Sequence, residues 1–180
     1  MSFEFTGMCE AIRYRFVAIF LVFLTALAGC APTAPLDLAV PTSDATKYAA
    51  IVVDADNGSV LHSFAPDSPR YPASLTKMMT LYMMFDALKS GRMTLDTEIP
   101  VSKNAARQPA SKLYLKADST ISADSAIRAL VVKSANDVAT AVAEYLGGTE
   151  DDFARQMTAR ARTLGLNATI FTNASGLPDP

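Results

Sequence analysis

Cysteine and histidine are nearly missing from this chain, and the two scarcities remove several kinds of chemistry at once. Of the two cysteines, Cys9 lies in a leading segment and Cys30 at that segment's end. The remaining residues therefore have no disulfide framework and call for no structural zinc site. His62 is the only histidine. It falls in a predicted strand and reads as a bystander, so a histidine-based triad has nothing else to draw on. Charge of one sign is also lacking: 16 Lys and Arg stand against 18 Asp and Glu, with no basic stripe and no long acidic run. Nucleic acid is not an expected partner. No apolar run spans a bilayer comfortably. There is no internal repeat, and no metal or cofactor is expected.

What is present begins with an address. Arg13 and Arg15 precede FVAIFLVFLTAL, which fits the core of a secretory signal. The segment closes on Leu27-Ala28-Gly29-Cys30, which resembles the lipobox of bacterial lipoproteins. That resemblance implies acylation of Cys30 on sulfur and a mature N-terminus there; the alternative is an ordinary signal peptide in which Cys30 is incidental. Ala31 is non-acidic, which by the same resemblance implies transfer to an outer membrane. Met8 is an alternative start, because Met8 to Arg15 already supplies a basic leader. Residues 1–30 thus read as a lipoprotein-type signal peptide, and residues 31–46, APTAPLDLAVPTSDAT, as an extended tether. Residues 47–180 are enough for one core but not two.

Within that domain the most informative feature is Ser74-Leu75-Thr76-Lys77. From Leu75 to Phe85 the run LTKMMTLYMMF holds one charged residue. A helix that is apolar all round is a buried helix, so Lys77 is expected to project from a buried segment. Residues three apart share a helical face, which lets the serine hydroxyl and the amine meet. A desolvated lysine loses basicity, and a neutral amine can take the proton from Ser74. The bland reading is a solvated helix lysine, because S-x-x-K alone is a weak pattern.

Around this motif the layout reads as α+β. Residues 48–54 and 59–64 read as antiparallel strands joined through Asp56-Asn57-Gly58. A proline-bearing loop, 65–73, delivers the chain to Ser74. The buried helix runs to about Lys89 and stops at Gly91. A short strand is expected around 98–102, then an irregular stretch. Ser122 caps a helix whose stripe is Ile127, Leu130 and Val131. Another helix starts near Ser134 to Asn136 and carries Val138, Val142, Tyr145 and Leu146. Thr149 and Asp152 form a capping box for the last helix, with Phe153, Met157 and Leu164 inward and Gly165 as its stop. Residues 167–172 read as a short strand or extended piece before a turn at Gly176. Serine and lysine are expected where hairpin and helices meet.

Ser134-Ala135-Asn136 is a second constellation. At a helix junction it can present a hydroxyl and an amide to one cleft, or it can be ordinary capping. Ser102-Lys103-Asn104 has the same spacing but polar surroundings, and ranks well below it.

Taken in order, YPASLTKMMT, LVVKSANDVATAVAEYLGG and LGLNATIFTNASGLPDP closely resemble the serine D-alanyl-D-alanine carboxypeptidases, the low-molecular-mass penicillin-binding proteins. S-x-x-K with a Ser-x-Asn element is the superfamily's signature. The resemblance implies a β-lactamase/transpeptidase-like fold, with a helical cluster packed on an antiparallel sheet. It makes Ser74 the nucleophile, Lys77 its base, Ser134 a proton-transfer group, Asn136 a substrate-binding residue, and the Ser74 N–H half of an oxyanion hole. The implied substrate is a peptidoglycan stem peptide ending in D-Ala-D-Ala. β-Lactams would acylate the same serine, and a membrane would be engaged through a lipid on Cys30. The implied location is periplasmic. The family's third element, Lys-Thr-Gly, does not occur, and no lysine follows Lys133. A chain lacking that element and the sheet's C-terminal strands is expected to be a truncated product of impaired activity. Asp118 stands where relatives usually have glycine, with little damage expected. The runner-up readings are a β-lactamase of the same fold, disfavoured by Ser-Ala-Asn and by the absence of a convincing glutamate to activate water, and a non-catalytic envelope lipoprotein.

Overall fold

The computed structural model describes residues 48–178. The leader, Cys30 and the whole of the tether lie outside the described residues. Strands β1 (Ala50–Val53) and β2 (Val60–Phe64) form the expected antiparallel hairpin, with Ala50 opposite Phe64 and Val53 opposite Val60. Its turn is held by the Asp54 carboxylate, which accepts the N–H groups of Asp56 and Asn57 at 2.9 and 3.1 Å. His62 lies exposed on β2. Both hairpin faces are open: Ile51, Val53, Val60 and Leu61 are all more than half exposed.

A 3₁₀ turn, Ala73–Thr76, leads directly into helix α1 (Lys77–Lys89). The apolar run does not bury on all sides as its composition suggests. Leu75 and Met78 are 66% and 67% exposed, and the buried face is Lys77, Met79, Thr80, Met84 and Ala87. The reason is geometric. Its helical neighbours lie along one side, and a single helix turns only one stripe toward them. The lysine is on that stripe.

Beyond α1, strands β3 (Glu98–Pro100) and β4 (Thr120–Ser122) pair antiparallel, with Ile99 opposite Ile121. The stretch between them, expected to be irregular, contains helix α2 (Lys103–Arg107). Ser102 caps α2 by accepting the Ala105 N–H at 2.9 Å, so the second Ser-x-Asn spacing is a cap and a surface contact to Glu144. Ser122 caps helix α3 (Ala123–Arg128), as expected. That helix then widens into a π turn, Ala129–Lys133, in which the Ser134 N–H reaches the Ala129 carbonyl five residues back. The wider turn rotates the stripe, so Leu130 is buried while Val131 is 64% exposed.

Helices α4 (Asn136–Gly147) and α5 (Glu150–Thr163) follow, joined by a tight Gly-Gly-Thr link. The Thr149 hydroxyl accepts the Asp152 N–H at 3.0 Å, the cap read from the sequence. Gly147 permits the close approach of the two helices, because a Cβ there would lie 2.6 Å from the Cβ of Phe153. Val138, Val142, Phe153, Met84, Ile99 and Met157 are fully buried and form the centre of the core. Leu164, expected inward, is 44% exposed because it sits past the end of α5, where Gly165 turns the chain at φ 82°. Residues 167–172 do not form a strand. The Phe171 N–H is held instead by the Thr158 hydroxyl of α5 at 2.9 Å. Helices with two small antiparallel sheets make the fold α+β. No helix among the described residues is long and apolar enough to cross a membrane.

Candidate active site

Ser74 is exposed within the 3₁₀ turn, and Lys77 opens α1 one turn later. Lys77 is only 3% exposed. Its Nζ lies 3.4 Å from Ser74 Oγ and donates to the Ser175 carbonyl at 2.8 Å. Burial pushes the ammonium's pKa down from the ordinary lysine value. A carbonyl can only accept, so the amine must spend one N–H on Ser175. In the neutral form its lone pair is then free to take a proton from Ser74. The partner of the amine is thus a returning loop and not the hairpin.

That loop is the short segment Asn173-Ala174-Ser175-Gly176. The Asn173 side-chain carbonyl accepts the Ser175 N–H at 3.1 Å, the Ser175 hydroxyl at 3.2 Å and the Gly176 N–H at 2.7 Å. Its amide donates to the Leu177 carbonyl at 2.9 Å. One asparagine therefore knots the turn from inside. Outside the knot, the Thr80 hydroxyl of α1 donates to the Ala174 carbonyl at 2.7 Å. The Ala174 N–H donates to Glu150 Oε1 at 3.1 Å, and the same oxygen accepts the Thr140 hydroxyl at 3.4 Å. Burial pushes the Glu150 carboxyl up, the two hydrogen bonds oppose that, and the charges of Glu144 and Asp151 add to it.

Ser134 and Asn136 stand at the junction between the π turn and α4. Ser134 is half-buried in the left-handed region at φ 54°. Its hydroxyl makes no hydrogen bond to Ser74 or Lys77 among the described residues. Asn136 is 4% exposed, and its Nδ2 donates to the Pro109 carbonyl at 3.0 Å while its N–H donates to the Ser111 carbonyl at 2.7 Å. Asp137, fully buried beside it, accepts the N–H groups of Leu113 and Leu115 at 3.0 Å each. The start of α4 thus carries the loop 109–115. A cleft of about 450 Å³ lies between Gln108 and Pro109, where that loop begins, and Glu150, Asn173 and Ser175. The structure brings Ser74 and Lys77 together, and it ties Asn136 to the cleft wall. Among the described residues, no cluster of histidine, cysteine or acidic side chains could hold a metal ion.

Sequence reasoning gave no role to Thr80, Glu150 or Asn173. Thr80 had a legible signal: it repeats the position of Lys77 three residues on, the only other polar side chain on that stripe of an apolar helix. Glu150 reads as a first-turn helix residue and nothing more.

An α+β fold with a buried lysine against a serine hydroxyl, one helical turn apart, defines a class of serine–lysine sites. Comparison with known proteins narrows it. The family profile of D-alanyl-D-alanine carboxypeptidases matches residues 37–180, and the chain belongs to that family. It is similar to the carboxypeptidase DacF of Bacillus subtilis, 30% identical over 130 residues covering 72% of this chain and 33% of that protein. Among solved structures it is similar to the carboxypeptidase DacD of Francisella tularensis, with TM-score 0.71 and 39% identity over 73% of this chain and 32% of the other. Penicillin-binding protein D2 of Listeria monocytogenes, in its ampicillin-bound form, gives TM-score 0.65 and 30% identity over 77% of this chain and 56% of the other. The chain spans 33% to 52% of the length of curated relatives it matches.

Proposed function

We propose that this chain carries the nucleophile and base of a serine D-Ala-D-Ala carboxypeptidase that trims peptidoglycan stem peptides. The observation that supports it most is the buried Lys77 amine, 3.4 Å from Ser74 Oγ and depressed in basicity. In this reading neutral Lys77 takes the Ser74 proton as the hydroxyl attacks the penultimate D-alanine carbonyl. The Ser74 N–H helps hold the oxyanion. Terminal D-alanine leaves with a proton passed through Ser134, and water releases the trimmed peptide from the acyl-enzyme. Asn136 faces the substrate from the start of α4. A β-lactam would acylate Ser74 in the same manner, consistent with the ampicillin-bound state of the Listeria protein. Residues 1–30 would export the chain, and a lipid on Cys30 would hold residues 47–180 at a bacterial membrane in the periplasm, with residues 31–46 as tether.

Titration with a fluorescent penicillin tests this, read by mass spectrometry of the labelled peptide. The expected adduct is on Ser74 and is absent in Ser74→Ala. Label that persists in Ser74→Ala, or a wild-type chain that takes none, overturns the proposal.

A further inference from the structure

Glu150 is a half-buried carboxylate that the chemistry above does not use, and it touches the segment that holds the lysine. Its Oε1 takes the Ala174 N–H at 3.1 Å, while Thr80 takes the other side of the same residue by donating to the Ala174 carbonyl at 2.7 Å. The next carbonyl in the chain, that of Ser175, is the one the Lys77 amine grips at 2.8 Å. Ala174 and Ser175 are both buried, at 0% and 2% exposure. Glu150 reaches Ala174 from α5, Thr80 reaches it from α1, and Thr140 braces the carboxylate from α4. Three helices therefore converge on Ala174, two by direct hydrogen bonds and α4 through the carboxylate, next to the Ser175 carbonyl that accepts from the amine.

We infer that Glu150 is a positioning residue for Lys77: its oxygen anchors Ala174, and through Ala174 it fixes the Ser175 carbonyl that orients and covers the amine. The inference rests on Lys77 as base, but it concerns geometry and is measurable without turnover. Both hydrogen bonds go to a single carboxylate oxygen, so a glutamine can keep them with its amide oxygen, whereas alanine loses both. The charge is not the working part. Titratable groups facing the carboxylate are Glu144 of α4 and Asp151 of its own helix, and both disfavour its ionised form.

The test is the ¹³Cε NMR titration of Lys77 in lysine-labelled full chain, for wild type, Glu150→Gln and Glu150→Ala, each checked by circular dichroism for native folding. In wild type the midpoint is expected below the ordinary lysine range, because the amine is buried. Glu150→Gln is expected to leave it unchanged. Glu150→Ala is expected to raise it, because a released loop lets water back to the amine. An unchanged or lowered midpoint in folded Glu150→Ala overturns the inference, and so does a Glu150→Gln variant that behaves like alanine. If Glu150→Ala does not fold, Thr80→Val removes the other anchor of Ala174, and the same rise is required of it. Penicillin capture by wild type is scored separately: its failure would remove the acyl-enzyme reading and leave this titration standing.

Discussion

At position 176 the backbone needs glycine for two independent reasons. Its φ of 79° is in the left-handed region, and a Cβ there would sit 1.9 Å from the Ala73 carbonyl oxygen and 2.8 Å from Thr76 Oγ1. The Asn173 knot is thereby pressed directly against the turn that bears Ser74. Backbone cannot retreat as a flexible side chain can. Gly176→Ala is expected to lower unfolding stability by on the order of 3 kcal/mol, combining left-handed strain with overpacking. Denaturant midpoints measure it, and a loss below about 1 kcal/mol would mean that the turn yields without strain. Asp118 also adopts a positive φ (64°), a region that a short polar side chain suits.

At the scale of an element, α4 has two jobs. Its middle, Val138 to Ala143, is wholly buried and forms the wall of the core. Its first turn reaches outward: Asn136 and Asp137 together hold four backbone groups of the loop 109–115. An aspartate with two acceptor oxygens suits two inward-pointing N–H groups, and asparagine would turn a donor toward one of them. Asp137→Asn is therefore expected to cost about 2 kcal/mol, the penalty for a buried unpaired donor. Faster hydrogen exchange confined to the amides of Leu113 and Leu115 would locate the effect. Uniformly faster exchange, or none, would contradict it.

Elements of this kind differ in how visible they are from residue order alone. The hairpin turn, the Ser122 and Thr149 caps and the meeting of Ser74 with Lys77 were legible because each depends on residues within four positions of one another. Helix α2 and strand β4 were not, since five- and three-residue pieces carry too little periodicity. The burial of Lys77 was expected for a reason that does not hold: the apolar run around it exposes Leu75, Met78 and Phe85. The amine is covered by a loop about a hundred residues away, which no local pattern announces.

For the whole molecule, the buried Lys77 and the half-buried Glu150 pull stability in opposite directions along the pH axis. Lys77 has a lowered folded-state pKa, so the unfolded chain binds the extra proton and its contribution is lost as pH falls through that value. Glu150 has a raised one, so its contribution is present below the ordinary glutamate value of 4.5 and is lost as pH rises through the folded value. At neutral pH both groups weaken the fold. Glu150→Gln, which keeps the acceptor oxygen and drops the charge, is expected to raise the melting temperature at pH 7. The gain should shrink toward zero as the pH approaches 4.5. Calorimetry across that range reads it directly, and a gain that is constant with pH would show that ionisation of Glu150 is not its source.

The bond between Lys77 and Ser175 joins positions 98 apart in the chain. Contacts that distant form late, because the intervening polypeptide must first give up its freedom. The first helix by itself would leave the amine hydrated; its lowered basicity needs the Asn173–Gly176 segment closed over it, so the reactive pair belongs to the tertiary fold and to no single element.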